Sequence, residues 1–580
     1  MCLKPQALPP IPQDTCHLAQ QLFSPHHVLR LIGEEYADLL HDSDFADLYS
    51  HTGQPALSPA LLALVTVLQA REHCSDRVAV EMVRFRIDWK YALHLPLADV
   101  GFDASVLCEF RQRLVEHEAT RRVFDAFLQR LEAKGWLSGR QTQRTDSLAV
   151  FGAIRQLNRL ELVMETLRLA LEAIARVDAA WLARHTPEEW CDTYGQWTQA
   201  ERIVRGTGAR GLVETQQRLL QTGRDGFTLL QAMEESQTPT AIAALPAVLL
   251  LRQVWQQQYR RVEETTTETT TETTTVIELC DHASRSAEER RELIDNPHDP
   301  QARFATKRSQ NWTGYKLHLT ETAEEEAPAL ITDVAVVAAN SYDAVAVDTI
   351  QERLKQRHLL PQTHLADAGY VDGATLVESA RHGVELLGPV AADNSSVLHK
   401  APGFGVEHFK LDFSHQQARC PQGQQAIRWH QQPRADNPRQ QMVVISWDKA
   451  VCRHCAHHRE CLGPGQRPRT IKVSAQYPQL VARRQEQKGE AFQERYRRRA
   501  GIEATFSHLV NGHGARRTPY RGGGKTQLHY LALASAINLQ RVMAWQAGIR
   551  PQRQRRSCLR TLLADQRESD QRESAEEKVG

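Results

Sequence analysis

Three carboxylates are the first residues in this sequence that invite a chemical interpretation. Asp146 lies inside a β-branched, apolar run that predicts a strand, and Asp367 stands at the end of another such run. Open α/β sheets bind ligands at the carboxyl ends of their strands, so an acid followed closely by glycine is well placed there. A single aspartate at a strand end more often caps a helix or forms a turn, and both interpretations stay open.

The third acid, Glu503, has two neighbours at helical spacing. Tyr496, Arg499 and Glu503 stand at i, i+3 and i+7, which places them on one face of a predicted α-helix. The Arg499 guanidinium can steer the Glu503 carboxylate or bind a phosphate through two hydrogen bonds. Tyr496 adds a hydroxyl donor or an aromatic platform. Taken alone, the segment also fits an ordinary exposed basic helix with one ion pair.

A group of cysteines forms a second candidate site, because a Cys-x2-Cys turn delivers two thiolates to one metal ion. Four sulfurs suit tetrahedral zinc. The predicted ligands of a structural zinc ion are Cys420, Cys452, Cys455 and Cys461, with His454, His457 and His458 as substitutes. The spacing is less even than in a paired Cys-x2-Cys site, so free thiols are the alternative.

Periodicity predicts the elements that must hold the three acids. Residues 24–138 favour short helices, one of them capped by Ser58 and begun by Pro59 and the next running through Val80, Val83, Phe85 and Ile87. Such helices fit a helix-turn-helix-like DNA reader and equally a plain helical bundle. Beyond Arg144, strand-like runs alternate with helix-like segments, which predicts an α/β core. The runs are 144–154, 313–320, 329–338, 363–370 and 384–390, and the helices 344–357 and 373–381.

These patterns divide the chain into five predicted parts. They are a helical N-terminal domain (1–138), the first part of the core (139–400), a cysteine-bearing insert (401–480), the last part of the core with the Tyr-Arg-Glu helix (481–548) and a basic, then acidic, disordered tail (549–580). The first part of the core contains a helical insert at about 156–258. It also contains a low-complexity Thr/Glu-rich tract at about 262–310, interpreted as an exposed linker or an extended hairpin.

Composition and local charge indicate the class of protein and the kind of partner that it binds. The chain has 580 residues, 41% of them hydrophobic, without an apolar run long enough to span a membrane or a secretory signal. Its 11 cysteines are therefore expected to be reduced, as in the cytoplasm. The net charge is only +1, but residues 483–556 hold 16 Lys or Arg against four Glu, a local excess of +12. Such an excess indicates a polyanionic partner.

In their order along the chain, these motifs resemble a known family. Thr-Asp146-Ser, Gly314-Tyr-Lys-Leu-His318, Asp367-Ala-Gly-Tyr370 and Tyr496-x2-Arg499-x3-Glu503 are similar to the signatures of bacterial insertion-sequence DDE transposases, in the branch with the Tyr-Arg-Glu helix. Segment 24–115 and the Arg/Gly-rich segment 516–542 also resemble parts of these enzymes. One departure is Val510, where the family pattern often has a lysine.

The resemblance implies a ribonuclease H-like core in which Asp146, Asp367 and Glu503 are the catalytic acids, supported by Tyr496 and Arg499. It implies two Mg²⁺ or Mn²⁺ ions, since three adjacent carboxylates need cations and hard oxygen ligands suit these ions. The implied partners are double-stranded DNA, as element ends and target, and a second copy of the chain on DNA. The candidate DNA contacts are Lys316, Arg497, Arg498, Arg516, Arg517, Arg521 and Lys525.

The resemblance leaves three activities to be distinguished. The leading hypothesis is cleavage at terminal inverted repeats followed by strand transfer into target DNA. The first alternative is a DNA-binding derivative that represses its own element without using the acids. The second is a related structure-specific nuclease, which would share the metal site but not strand transfer.

Overall fold

The computed structural model describes residues 1–550 except 37–38, 196–208, 236–237, 267–271, 308, 392–402, 435–436 and 463–467. Within these residues the chain is a mixed α/β protein with a helical N-terminal region and a mixed sheet, as predicted. The tail predicted at 549–580 lies outside the described residues from 551 onward.

The helices fall into an N-terminal group, an insert after the first strand, and a set around the sheet. They are α1 Gln13–Leu22, α2 Val28–Leu31, α3 Pro59–Glu72, α4 Asp76–Phe85, α5 Ile87–Ala92, α6 Ser105–Glu116, α7 Arg122–Ala133, α8 Arg159–His185, α9 Glu189–Tyr194, α10 Ala209–Glu235, α11 Thr240–Ala243, α12 Pro246–Gln258, α13 Ala287–Arg291, α14 Asp343–Gln356, α15 Gly373–Arg381, α16 Lys449–Arg453, α17 His458–Leu462, α18 Tyr477–Glu486, α19 Glu490–Arg497, α20 Ile502–His513 and α21 Gly523–Gln546. A π-helical turn spans Ile32–Tyr36, and 3-10 helices span Asp42–Leu48, Val406–His408 and Arg498–Gly501.

The N-terminal helices begin and end for identifiable reasons. The start of α3 is confirmed, since the Ser58 hydroxyl accepts a hydrogen bond from the Leu61 amide (3.1 Å) and proline fills the first position. The helix expected to continue through residue 87 instead ends at Phe85. It ends there because Arg86 is extended (φ −90°, ψ 121°), a bend that starts α5 and buries Trp89 completely.

The strands form one central sheet and three small ones. They are β1 Gln143–Phe151, β2 Tyr259–Thr266, β3 Glu272–Leu279, β4 Arg303–Lys307, β5 Gln310–Thr322, β6 Ile331–Ala338, β7 Thr363–Ala366, β8 Glu385–Leu387, β9 Lys410–Asp412, β10 Gln417–Arg419, β11 Arg428–Arg434, β12 Asn437–Ser446 and β13 Thr470–Ser474. In the central sheet, β5 pairs antiparallel with β4, β6 and β1. The strands β1, β7 and β8 run parallel to one another.

The last long helix covers one edge of the central sheet. On α21, the Asn538 side chain accepts a hydrogen bond from the Ile331 amide (2.7 Å) and donates one to the Ile331 carbonyl (2.8 Å). The Gln527 side chain likewise accepts a hydrogen bond from the Val336 amide and donates one to the Val334 carbonyl. These amides satisfy the backbone groups that an edge strand leaves unpaired. The same helix packs on α3, so the N-terminal helices and the sheet share one hydrophobic core.

Two inserts build separate hydrophobic cores. Helices α8 to α12 pack together around their own apolar cluster, and β2 and β3 beside them form an antiparallel hairpin. Of the low-complexity tract predicted at about 262–310, residues 262–266 lie in β2 and residues 272–279 in β3, residues 267–271 are not described, and the remainder includes α13 and β4. After the sheet, β9 to β13 with α16 and α17 surround a small core that includes Trp447 and Ile471.

Candidate active site

Asp146 and Asp367 lie beside each other on neighbouring strands. The parallel pairing of β1 with β7 ends with Thr145 opposite Ala366, and the next residue on each chain segment is one of the two acids. Residues in register on neighbouring strands point to the same face, and such strands lie about 4.8 Å apart. The sheet therefore brings together two aspartates that are 221 positions apart in sequence.

The Asp146 carboxylate is partly buried and held by two donors. Its Oδ1 accepts a hydrogen bond from the Ser147 amide (2.7 Å), and its Oδ2 accepts one from Arg499 Nη1 (2.7 Å). Burial raises the pKa of Asp146 above its ordinary value, and the charge of Asp367 raises it further. The bonds from Ser147 and Arg499 offset only part of this rise. The net rise in the pKa of Asp146 thus comes first from burial and then from its acidic neighbour.

Arg499 links this carboxylate to the third acid. Its Nη2 donates a hydrogen bond to Glu503 Oε1 at 3.1 Å, while Nη1 binds Asp146. The arginine side chain is 16% exposed, whereas Glu503 is 67% exposed and faces solvent. The Tyr496 ring lies 5.9 Å from the Arg499 guanidinium carbon, within range of a cation–π contact. Three of the predicted residues, Asp146, Glu503 and Tyr496, thus contact the guanidinium of the fourth, Arg499.

The α-helix predicted across Tyr496 to Glu503 is interrupted, although Tyr496 and Glu503 both still contact Arg499 as their predicted common face requires. Helix α19 ends at Arg497, a 3-10 turn spans Arg498–Gly501, and α20 begins at Ile502. The break coincides with a backbone contact, because Arg144 Nη1 donates a hydrogen bond to the Arg498 carbonyl (2.7 Å). Arg499 nevertheless reaches Glu503 four residues later.

A fourth acid near the site was not predicted. Asp343, the first residue of α14, has a carboxylate oxygen 3.1 Å from the point where a Cβ on Gly369 would lie, as has Asp367. The signal that could have identified it is an acid at the start of a predicted helix that follows a predicted strand. Asp343 is bound by Lys316 Nζ at 2.8 Å, and the same ammonium donates to the Ser341 carbonyl.

The candidate DNA contacts divide into residues bound within the protein and residues at the surface. Lys316 is bound by Asp343, and Arg498 donates hydrogen bonds to the Ala323 carbonyl and to Glu324. The cationic groups of Lys316 and Arg498 therefore already have partners within the protein.

The other candidate contacts lie nearer to solvent. Arg497, Arg516, Arg517 and Arg521 are exposed, and Lys525 is partly exposed in the first turn of α21. The segment with Arg516 and Arg517 is fixed to the end of β1, since the Phe151 amide donates to the Arg516 carbonyl at 2.8 Å. The basic segment 516–525 is thus attached to the strand that carries Asp146.

The four cysteines predicted as zinc ligands line one cavity in the second insert, together with His457 and His458. All four are free thiols of intermediate burial, and burial raises the pKa of Cys461. The histidine Nδ1 atoms have other partners, Glu460 for His457 and the Cys452 carbonyl for His458. The His454 Nδ1 atom faces the Ala450 carbonyl.

Across the described part of the chain, no three His, Cys, Asp or Glu side chains stand at a spacing that could hold a metal ion as placed. This applies both to the three acids and to the four cysteines. Among the described helices, none is long and apolar enough to cross a membrane.

Two family models match the chain. Residues 17–113 match one described as "Transposase domain (DUF772)", and residues 419–543 match one described as "Transposase DDE domain". The second match includes Tyr496, Arg499 and Glu503, whereas Asp146 and Asp367 lie outside both. A comparison with curated proteins finds no match.

Proposed function

Because the chain belongs to the insertion-sequence DDE transposases, whose general function is DNA cleavage and strand transfer, we propose that Asp146, Asp367 and Glu503 are its catalytic acids. The acids would act at the terminal inverted repeats of an element and in its insertion into target DNA. We propose a ribonuclease H-like core, since such a fold brings acids from two strands and a late helix together. The positions of these acids on β1, after β7 and at the start of α20 support this proposal.

The observation that carries the proposal is the convergence of the three acids from distant parts of the chain. The β1–β7 register sets Asp146 beside Asp367, and Arg499 holds Glu503 to Asp146 through bonds of 2.7 and 3.1 Å. Three acids brought together by chance would not be expected to combine a strand register that joins Asp146 to Asp367 with one guanidinium that joins Asp146 to Glu503.

The chemistry of these side chains fits a divalent cation, and enzymes of this family use divalent metal ions. The acids offer oxygen ligands only, the set that Mg²⁺ or Mn²⁺ prefers. Asp146 is partly buried and close enough to Asp367 for that charge to raise its pKa, and a bound cation would offset this repulsion. Bound by Asp146, Asp367 and Glu503, two such ions would activate the attacking oxygen and stabilise the leaving one. Because these side chains are not at ligating spacing as placed, binding requires them to move closer.

The remaining residues of the site have supporting roles in this proposal. Arg499 keeps Asp146 and Glu503 turned toward each other, and its planar fork can pair with a phosphodiester in the same place. Tyr496 limits the movement of that guanidinium through its ring. The attacking groups would be water for the first nick and a DNA 3′-hydroxyl for strand transfer, so no covalent bond between protein and DNA is needed.

The proposed partner is double-stranded DNA, bound as element ends and as target by a dimer of this chain. The surface residues Arg497, Arg516, Arg517, Arg521 and Lys525 are the proposed phosphate contacts. Binding by such a segment should weaken steeply with added salt, because each phosphate contact releases counterions. Since joining two element ends needs two active sites close together, the dimer is expected on DNA.

The test uses labelled duplexes carrying the inverted repeats that flank the coding region, incubated with Mg²⁺ and an unlabelled target. Asp146→Asn, Asp367→Asn and Glu503→Gln should each abolish cleavage and leave end binding largely intact. Glu494→Gln is the matched control, because Glu494 is 75% exposed on the same segment and pairs with Arg497 at the surface. Undiminished cutting by any one acid variant would refute the assignment.

The same reactions separate the alternative activities. Cleavage without joined products would identify a nuclease. Binding without cleavage by the wild-type chain would identify a repressor.

We also propose that Cys420, Cys452, Cys455 and Cys461 bind a structural zinc ion. Support comes from the four free thiols in one cavity and from the small apolar core of this insert, which a metal would stabilise. Purified protein should contain one zinc ion per chain by elemental analysis, and Cys452→Ala with Cys455→Ala should remove it and lower the unfolding temperature. Cys191→Ala, at an exposed thiol, is the control; wild-type protein without zinc would contradict the proposal.

A further inference from the structure

Behind the paired aspartates, two buried side chains meet that the proposed reaction does not use directly. His318 on β5 and Tyr370 after β7 are joined by a hydrogen bond of 2.6 Å between His318 Nδ1 and the tyrosine hydroxyl. Their rings meet edge to face at 86°, and they are 1% and 0% exposed. A buried, fully enclosed polar pair of this kind fixes the position of the segments that carry it.

The tyrosine belongs to the turn that presents Asp367. Its amide donates a hydrogen bond to the Asp367 carbonyl (3.1 Å), which closes a turn directly after β7. Inside this turn the Gly369 amide donates to Asp367 Oδ1 at 2.9 Å. The other end of the turn is held by Thr375, whose hydroxyl donates to the Tyr370 carbonyl at 3.1 Å. The direction of the Asp367 carboxylate therefore depends on where Tyr370 is anchored.

His318 is anchored by the sheet itself. It is paired with Ser147 on β1, the residue that follows Asp146. The hydrogen bond from His318 to Tyr370 thus connects the strand beside Asp146 with the turn that holds Asp367, across the middle strand of the sheet. The Tyr370 hydroxyl also hydrogen-bonds the Ser147 side chain on β1, so this tyrosine ties the turn to both β5 and β1.

We infer that the His318–Tyr370 pair is a positioning device that holds the Asp367 carboxylate at a fixed place relative to Asp146. The inference rests on the proposed function, because it assumes that these two aspartates bind the same divalent ions. Residues that orient metal ligands through one hydrogen bond change metal affinity or activity by about 10- to 100-fold when they are replaced. Neither His318 nor Tyr370 is a catalytic residue in this view.

The first test measures metal binding without catalysis. Titration of the full-length protein with Mn²⁺, followed by the electron paramagnetic resonance signal of the free ion, gives the dissociation constant directly. Tyr370→Phe removes one hydroxyl and should weaken Mn²⁺ binding by about tenfold or more. Tyr530→Phe is the matched control, since Tyr530 is also buried but its hydroxyl donates to the Ala515 carbonyl (2.7 Å), away from the acids.

The second test uses substitutions at the other partner. His318→Asn keeps a polar atom close to the position of Nδ1 and should retain most of the Mn²⁺ affinity, whereas His318→Leu should lose affinity, though no more than Tyr370→Phe, which also removes the bond to Ser147. Because Tyr370→Phe already removes the bond to His318, the double variant His318→Leu/Tyr370→Phe should bind Mn²⁺ no worse than Tyr370→Phe alone. Additive losses would mean that the residues act separately and would overturn the inference.

Asp367→Asn distinguishes a failure of this inference from a failure of the proposed function. If Asp367→Asn leaves Mn²⁺ binding unchanged, the assignment of the catalytic acids is wrong and the positioning role falls with it. If Asp367→Asn abolishes binding while Tyr370→Phe behaves like Tyr530→Phe, only the positioning role is overturned.

Discussion

The arrangement of the candidate acids depends most on the Arg499 side chain. One guanidinium nitrogen binds Asp146 and another binds Glu503, so two of the three candidate acids share a single cation. Burial of the guanidinium alone would lower its pKa, but Tyr496 and Asp146 raise it above the ordinary value, so the group stays charged. An arginine in this position can exchange a carboxylate partner for a phosphate without changing its own charge.

Replacement of this arginine should separate catalysis from DNA binding. Arg499→Ala removes the link between Asp146 and Glu503 and should lower the cleavage rate by about 10- to 100-fold, the range for residues that orient a metal site. Affinity for the element end should change much less, as measured by fluorescence anisotropy. Arg381→Ala is the control, since Arg381 is 71% exposed, pairs with Glu378 and is not among the proposed DNA contacts. An equal loss of affinity and rate would make Arg499 a phosphate clamp.

Among the secondary-structure elements, the 3-10 turn at Arg498–Gly501 has the most direct effect on the site. It lies between Tyr496 and Glu503 and sets the start of α20. A Cβ on Gly501 would overlap the guanidinium of Arg144, which binds the Arg498 carbonyl and the fully buried Glu321. The glycine is needed here for the close approach of Arg144, since its φ of −60° suits any residue.

Gly501→Ala should therefore destabilise the protein, although alanine is the better helix former. Displacing Arg144 from its partners should lower the free energy of unfolding by about 1–3 kcal/mol, the cost of leaving buried polar groups unpaired. Gly512→Ala on α20 is the control. Its added Cβ would meet only an exposed His508 ring (3.1 Å), so the gain in helix propensity should stabilise it by up to about 1 kcal/mol. Stabilisation by both substitutions, measured by urea denaturation, would contradict the role assigned to Gly501.

For the chain as a whole, a buried ion cluster joins the N-terminal helices to the sheet. Asp333 on β6 is fully buried and binds Arg121, just before α7, at 2.9 Å and Arg353 on α14 at 2.5 Å. Arg357 adds a third contact at 3.3 Å. This cluster and the shared apolar core connect the N-terminal helices to the sheet that carries Asp146. The predicted boundary at residue 138 therefore separates segments that pack as one body.

Removing the acid from this cluster should cost much of the stability of the protein. Asp333→Asn leaves arginines buried without their counter-ion and should lower the free energy of unfolding by about 3–5 kcal/mol. Asp47→Asn is the control, because Asp47 is 64% exposed and pairs with Arg122, the neighbour of Arg121. A surface pair of that kind contributes about 0–1 kcal/mol. Equal losses in the two variants would show that the Asp333 cluster does not join the regions.

The same cluster predicts how stability depends on pH. Burial alone would raise the pKa of Asp333, but the bonds from Arg353 and the charges of Arg121 and Arg357 lower it below the ordinary 3.8. The stabilisation is then complete above that ordinary value and is lost as the pH falls below it, because the unfolded chain takes up the proton first. The difference in unfolding temperature between wild type and Asp333→Asn should therefore shrink below about pH 4. A constant difference from neutral to acid pH would contradict this.

Local patterns were enough to predict most elements of the core and the identity of the candidate acids. Alternation around Asp146 predicted β1, and the predicted helix 373–381 has the bounds of α15. Such predictions succeed because periodicity and capping depend on residues only a few positions apart. The same local rules failed at Arg86 and at Arg498–Gly501, where a buried tryptophan and a distant arginine outweigh helix propensity.

Which distant residues contact one another could be learned only from the folded structure. The sequence contains no sign that β7 pairs with β1, that Arg499 binds Asp146 353 positions away, or that Lys316 is bound by Asp343. These contacts are made where strands and helices pack, and their choice depends on the summed free energy of a whole core. For that reason local sequence patterns could identify candidate site residues. Their contacts with one another could be seen only in the three-dimensional structure.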